Sequence, residues 1–261
     1  MPLPNLDVDE IITVINRSSL PTILVEGKYD AIVYRWIEAE LFDINANIIE
    51  CGGRKSLISV FERRAEITNN ANVVFLADKD MWLYTGVPEE YNDIIFTSGY
   101  SIENDLIHGS INRIIKLFNP GEITLLEDIF KVIIPWYSIE VCKYINGEEF
   151  KLNYSIQNLL DKSEVKIREG LLDDNTERYS NYNEVFNFIE EERLLHIRGK
   201  NVLDILSYLL QSPKRKVNYS KDSIVDIILR LHSESNQNLL RVIELILARF
   251  TKKDVKIHST V

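Results

Sequence analysis

Cysteine and histidine are scarce: two of the first and four of the second occur in 261 residues. Cys51 and Cys142 have no partner at zinc-site spacing, and no His-Glu-x-x-His or paired-ligand pattern occurs. A zinc element of that kind is excluded, and both thiols are expected to be buried and free in a reducing compartment. Long apolar runs are missing too, since none approaches the roughly 18 residues of a membrane span. The opening, with Asp7, Asp9 and Glu10, lacks the basic start of a signal peptide. A cytoplasmic protein without a membrane partner is the expectation. Positive charge is also in deficit, 30 Lys and Arg against 40 Asp and Glu, for a formal net charge of −10. That argues against non-specific nucleic-acid binding over the whole surface. Local basic groups remain at Arg54-Lys55 with Arg63-Arg64, at Lys214-Arg215-Lys216, and at Lys252-Lys253 with Lys256. Each reads more readily as a solvated face than as a phosphate contact.

What is present is patterned strand and helix. Hydrophobic residues make up 45% of the chain, enough for a sizeable core in one large domain or two smaller ones. Thr22-Ile-Leu-Val25 reads as a short buried strand that stops at Glu26 and Gly27. A helix follows, with Ile32, Val33, Trp36, Ile37 and Leu41 at helical spacing. Further strands are expected at 47–51, 72–77 and 93–97, with helices at 8–15, 55–67 and 103–118. This alternation predicts an α/β fold, a mostly parallel four-stranded sheet flanked by helices over residues 1–118. Asn119-Pro120-Gly121 marks the expected boundary. Residues 119–261 should form a mainly helical C-terminal subdomain, with one more strand at 130–135 and a polar connection over 163–183.

Acids gather at the expected carboxyl edge of that sheet, where open parallel α/β sheets bind ligands. Glu26 ends the first strand, and Gly27 allows a tight turn close to a ligand. Asp30 lies four residues on. Asp78-Lys79-Asp80 ends the third strand, and Ser98-Gly-Tyr-Ser-Ile-Glu-Asn104 follows the fourth, with Ser101 a helix cap and Glu103 in the first turn. Glu103 there also suits simple complementation of the helix dipole. Together Glu26, Asp30, Asp78, Asp80 and Glu103 would crowd negative charge that needs cations, and oxygen-only ligands suit Mg2+ or Mn2+. Gly52-Gly-Arg-Lys-Ser56 fails the G-x-x-x-x-G-K-[ST] test, so the chain supplies no ATPase of its own. Arg54 and Lys55 could still bring helix N-terminal amides to a substrate phosphate, or the segment could simply cap a helix.

Val25-Glu-Gly-Lys-Tyr-Asp30, Asp78-Lys-Asp80 and Ser101-Ile-Glu-Asn104 resemble the TOPRIM domain of OLD-family nucleases. With His196-Ile-Arg-Gly-Lys200, the Ile-Glu-Asn form is most similar to the AriB family, effectors of the PARIS anti-phage defence system. The resemblance covers roughly the first 110 residues and one later patch. It implies that Glu26 is a metal ligand or general acid/base, that Asp78 and Asp80 bind metal, and that Glu103 completes the site. Asp30 sits where some relatives carry an acid, and Lys200, after Arg198, would neutralise charge on the phosphate. A surface lysine at a helix start remains the alternative for Lys200.

The chemistry so implied is metal-assisted phosphodiester hydrolysis, with RNA, and tRNA above all, as substrate. The resemblance further implies an ATPase subunit that restrains the nuclease, and a homodimer as the active form. Two alternatives stay open: DNA cleavage as in other OLD-like nucleases, and a non-catalytic sensor or assembly subunit.

Overall fold

The computed structural model describes residues 6–27, 31–68, 72–161, 164–171, 176–211, 215–230 and 236–258. In chain order the first elements are α1 (Val8–Arg17), β1 (Thr22–Val25), α2 (Ala31–Glu40), β2 (Asn47–Glu50), α3 (Arg54–Glu62) and β3 (Val73–Ala77). They are followed by α4 (Trp82–Thr85), β4 (Ile95–Phe96), α5 (Ile102–His108), α6 (Ile111–Ile115), α7 (Pro120–Ile145) and α8 (Ile156–Leu159). The chain continues through α9 (Tyr182–Glu191), α10 (Arg193–His196), α11 (Gly199–Leu210), α12 (Lys221–Arg230) and α13 (Gln237–His258). It divides into two compact units that do not follow chain order. The first comprises Met1–Asp78, Pro88–Thr97 and Gln237–Val261, and the second Lys79–Val87 and Ser98–Asn236. The expected boundary at 118/119 falls where Asn119 caps α7.

The first unit holds the four-stranded sheet, ordered β2-β1-β3-β4 and parallel throughout. Every residue of β1 and β3 is buried, as central parallel strands require, whereas the edge strand β2 is mostly half-buried. The fourth strand is shorter than the sequence suggests, only Ile95 and Phe96 pairing with Leu76 and Ala77. The helix expected over 55–67 stops at Glu62 and continues as a 3-10 turn, Arg64–Glu66. Phe61 on α3 meets Phe75 on β3 edge to face, centroids 5.1 Å apart. The last helix, α13, packs on β3 and β4. Its Leu239, Val242 and Ile246 are fully buried, each contributing about 1.5–3 kcal/mol. Arg241 of α13 donates to the Phe96 carbonyl at 3.1 Å.

The second unit is helical. Residues 130–135, expected as a strand, lie inside the 26-residue α7. The helix buries Leu126, Ile129, Phe130, Ile133 and Ile134 at helical spacing, but the consecutive β-branched residues Val132, Ile133 and Ile134 imitate a strand. Pro135 sits within it, and Ser138 Oγ donates to the Ile134 carbonyl at 2.7 Å. The helix expected over 103–118 is broken at Gly109 and Ser110 into α5 and α6. Helices α9 and α11 pack on α7, and α10, α11 and α12 pack on α5.

Candidate active site

In the first unit the register aligns Val25 of β1 with Leu76 of β3, so the residues just beyond both strands become neighbours. Glu26 Oε1 accepts from the Asp78 amide at 3.2 Å. Arg54, the first residue of α3, places its guanidinium 3.3 Å from Glu26 Oε1 and 2.8 Å from the Asp78 carbonyl. The turn that delivers Arg54 uses Gly52 and Gly53 at φ 79° and 132°, a region that disfavours side chains. Gly53 N then donates to the Glu26 carbonyl at 2.5 Å. The Glu26 side chain is 15% exposed and that of Arg54 25%, so the pair is shielded rather than solvated. The nearby Cys51 thiol records this environment: burial first, and the negative charge of Glu26 second, push it up to about 12. Gly27 faces open space and Lys55 is exposed. Asp30 lies outside the described residues.

In the second unit Asp80 adopts φ 48°, the left-handed region that a non-glycine residue enters at a cost, and donates its amide to the Tyr100 carbonyl at 2.8 Å. The loop it meets is fixed from below. The fully buried Asp105 carboxylate accepts from Ser98 N and Gly99 N, both at 2.8 Å, and Lys79 Nζ donates to the Ser98 carbonyl at 2.9 Å. Ser101 caps α5, as the sequence suggests, and Glu103 in its first turn is only 4% exposed. A buried carboxylate there gains from the helix dipole and from Lys200, whose Nζ stands 3.9 Å from Glu103 Oε1.

The segment carrying Lys200 is held at successive backbone groups. Asn104 Nδ2 donates to the carbonyls of Leu194 (2.6 Å) and Ile197 (2.7 Å), and Tyr100 N donates to that of Leu195 at 2.8 Å. The Tyr84 hydroxyl donates to the His196 carbonyl, and Arg198 N donates to the Tyr137 hydroxyl at 3.0 Å. Tyr84 and Tyr137 share a hydrogen bond of 3.2 Å. His196 stacks on Phe188, centroids 3.8 Å apart, and burial holds its pKa below the ordinary value. Arg198 places Nη1 3.3 Å from Asn201 Oδ1.

Among the expected site residues, Glu26, Asp78 and Arg54 therefore meet within the first unit, and Glu103 meets Lys200 within the second. Among the described residues, no three Asp, Glu, His or Cys side chains stand together as a metal-ligand set. The acids at hand are oxygen donors, which match magnesium or manganese in kind. Of the basic groups, Arg215 is no phosphate contact here, because its guanidinium is bidentate on Glu122 and also donates to the Leu117 carbonyl. Residue patterning passes over the supports: Lys79, Tyr84, Asn104, Asp105 and Tyr137. Only the Ser101-x-x-Asn104 spacing, that of a capping box, carried a local signal. No protein-family model matches this chain, and no curated protein matches it.

Proposed function

We propose that this chain is a TOPRIM-like, divalent-metal-dependent endoribonuclease, an effector of anti-phage defence that cleaves tRNA and halts translation. In this reading an ATPase partner restrains it, and the released cytoplasmic protein acts as a homodimer. The observation that carries the proposal is the cluster of Glu26, Asp78 and Arg54 beyond the carboxyl ends of two adjacent parallel strands. A shielded acid held in one orientation by an amide and a guanidinium, at the sheet edge where ligands bind, suits a ligand or proton-transfer role. Glu26 and Asp78 would hold magnesium or manganese in the first unit, and the resemblance also gives Asp80 and Glu103 metal-ligand roles. Such an ion, when bound, polarises the phosphate and lowers the pKa of water. The chain's own groups supply orientation and charge. The Asp78 amide and Arg54 fix the Glu26 carboxylate, which serves as ligand or proton acceptor, and the Lys200 ammonium offsets charge on the phosphate oxygens.

Inducible expression in bacteria, wild type beside Glu26→Ala, tests this directly. Wild type should arrest growth and fragment small RNA, and the variant should do neither. Breakage of genomic DNA instead would keep the nuclease and replace the substrate. Identical behaviour of both versions, with RNA and DNA intact, would overturn catalysis and favour a sensor or assembly subunit.

A further inference from the structure

Asn104 is fully buried, and its side chain uses its whole hydrogen-bonding capacity. Oδ1 accepts from Ser101 N at 3.0 Å and Ser101 Oγ at 2.9 Å, while Nδ2 donates to the Leu194 and Ile197 carbonyls. One amide thus joins the first turn of α5, which carries Glu103, to the turn that leads into α11, which carries Lys200. Gly199 completes the seat. A Cβ there would come 2.5 Å from Ser101 Oγ, 2.8 Å from Asn104 Oδ1 and 2.9 Å from Glu103 Cβ, so only glycine lets α11 start this close to α5. Helix capping alone would need only the Oδ1 bonds; the two donated bonds span 90 and 93 residues of sequence.

We propose that Asn104 is a positioning residue that, with Gly199, sets Lys200 against Glu103 for the reaction. The inference rests on the reading of Lys200 and Glu103 as groups of the reacting site. Loss of a supporting hydrogen bond to a catalytic group typically costs about 10–100-fold in activity.

The test is a double-variant cycle on the full chain, with Asn104→Ala, Lys200→Ala and the pair measured for RNA cleavage, beside amide hydrogen exchange. Asn104→Ala should lower kcat by about 10–100-fold with KM little changed, and should cost almost nothing once Lys200 is already alanine. Exchange should quicken at both 98–101 and 194–200 while the amides of β1 and β3 keep their protection. Gly199→Ala, which keeps the Asn104 side chain but crowds its Oδ1, should reproduce the kcat loss. Full additivity in the cycle, or unchanged exchange at 194–200, overturns the proposal. If wild type cleaves no nucleic acid, the functional reading fails, and the exchange measurement alone decides whether Asn104 holds the Lys200 turn.

Discussion

Glu26 accepts a hydrogen bond from the backbone amide of Asp78, 3.2 Å away, across the carboxyl ends of β1 and β3. The bond uses the first residue beyond each strand, so it follows from the parallel register and not from any loop conformation. Arg54 then offsets the resulting negative charge from the start of α3.

Replacing Arg54 by Met should therefore injure the site in two ways. The shielded Glu26 carboxylate loses its cation and the Asp78 carbonyl loses a donor, which should cost about 1–3 kcal/mol of stability. Cleavage should fall as well, because Glu26 loses an orienting contact. Arg54→Lys should restore part of both losses, since one nitrogen, Nη1, reaches both acceptors and an ammonium has donors enough for the two. Urea denaturation and RNA cleavage assays of both variants read these outcomes.

Most of the first unit was legible in residue order, and the reason is physical. Thr22-Ile-Leu-Val25 and Val73-Val-Phe-Leu-Ala77 are apolar on both faces because both strands are central. Their ends then locate Glu26 and Asp78. Residues 130–135 misled because Val132, Ile133 and Ile134 are consecutive and β-branched, a run that favours a strand, although the helix buries Ile129, Phe130, Ile133 and Ile134 at helical spacing. Asp105 stayed hidden and Asn104 showed only its capping-box spacing, because their other partners are backbone atoms, and a carbonyl 90 residues away leaves no trace in residue identity.

Alkaline pH should destabilise the fold through its thiols. Burial pushes Cys51 up to about 12 and Cys142 up to about 11, both from an ordinary value of 9.0. The unfolded chain ionises them first, so their contribution is intact below pH 9 and is lost as pH rises toward those values. Melting temperatures measured from pH 8 to 10 should fall less steeply for the Cys51→Ala, Cys142→Ala double variant. The comparison stops at pH 10 because buried Tyr84 and Tyr137 are also pushed up and contribute beyond it.

Arg215 should prove structural. Its bidentate bond holds the Glu122 carboxyl below its ordinary value of 4.5, and the two side chains are only 19% and 12% exposed. Arg215→Ala should cost about 1–3 kcal/mol at neutral pH. A lowered carboxyl contributes stability above its ordinary pKa and loses it as pH falls through the lowered value. The gap between wild type and variant in urea midpoints should therefore narrow below about pH 4.

Tyr137→Phe removes one hydroxyl and leaves Arg198 N without its 3.0 Å partner in the interior. A loss of about 1–3 kcal/mol is expected by thermal or chemical denaturation, larger than for Tyr→Phe at exposed Tyr208.

The first unit is interleaved with the second, and this orders events during synthesis. Strands β1 to β3 leave the ribosome early, yet α13, which covers β3 and β4, is translated only after the whole of the second unit. A nascent chain carries an incompletely clothed sheet until the codons of α13 are read. An early-made sheet thus waits on a late-made helix before its core is closed.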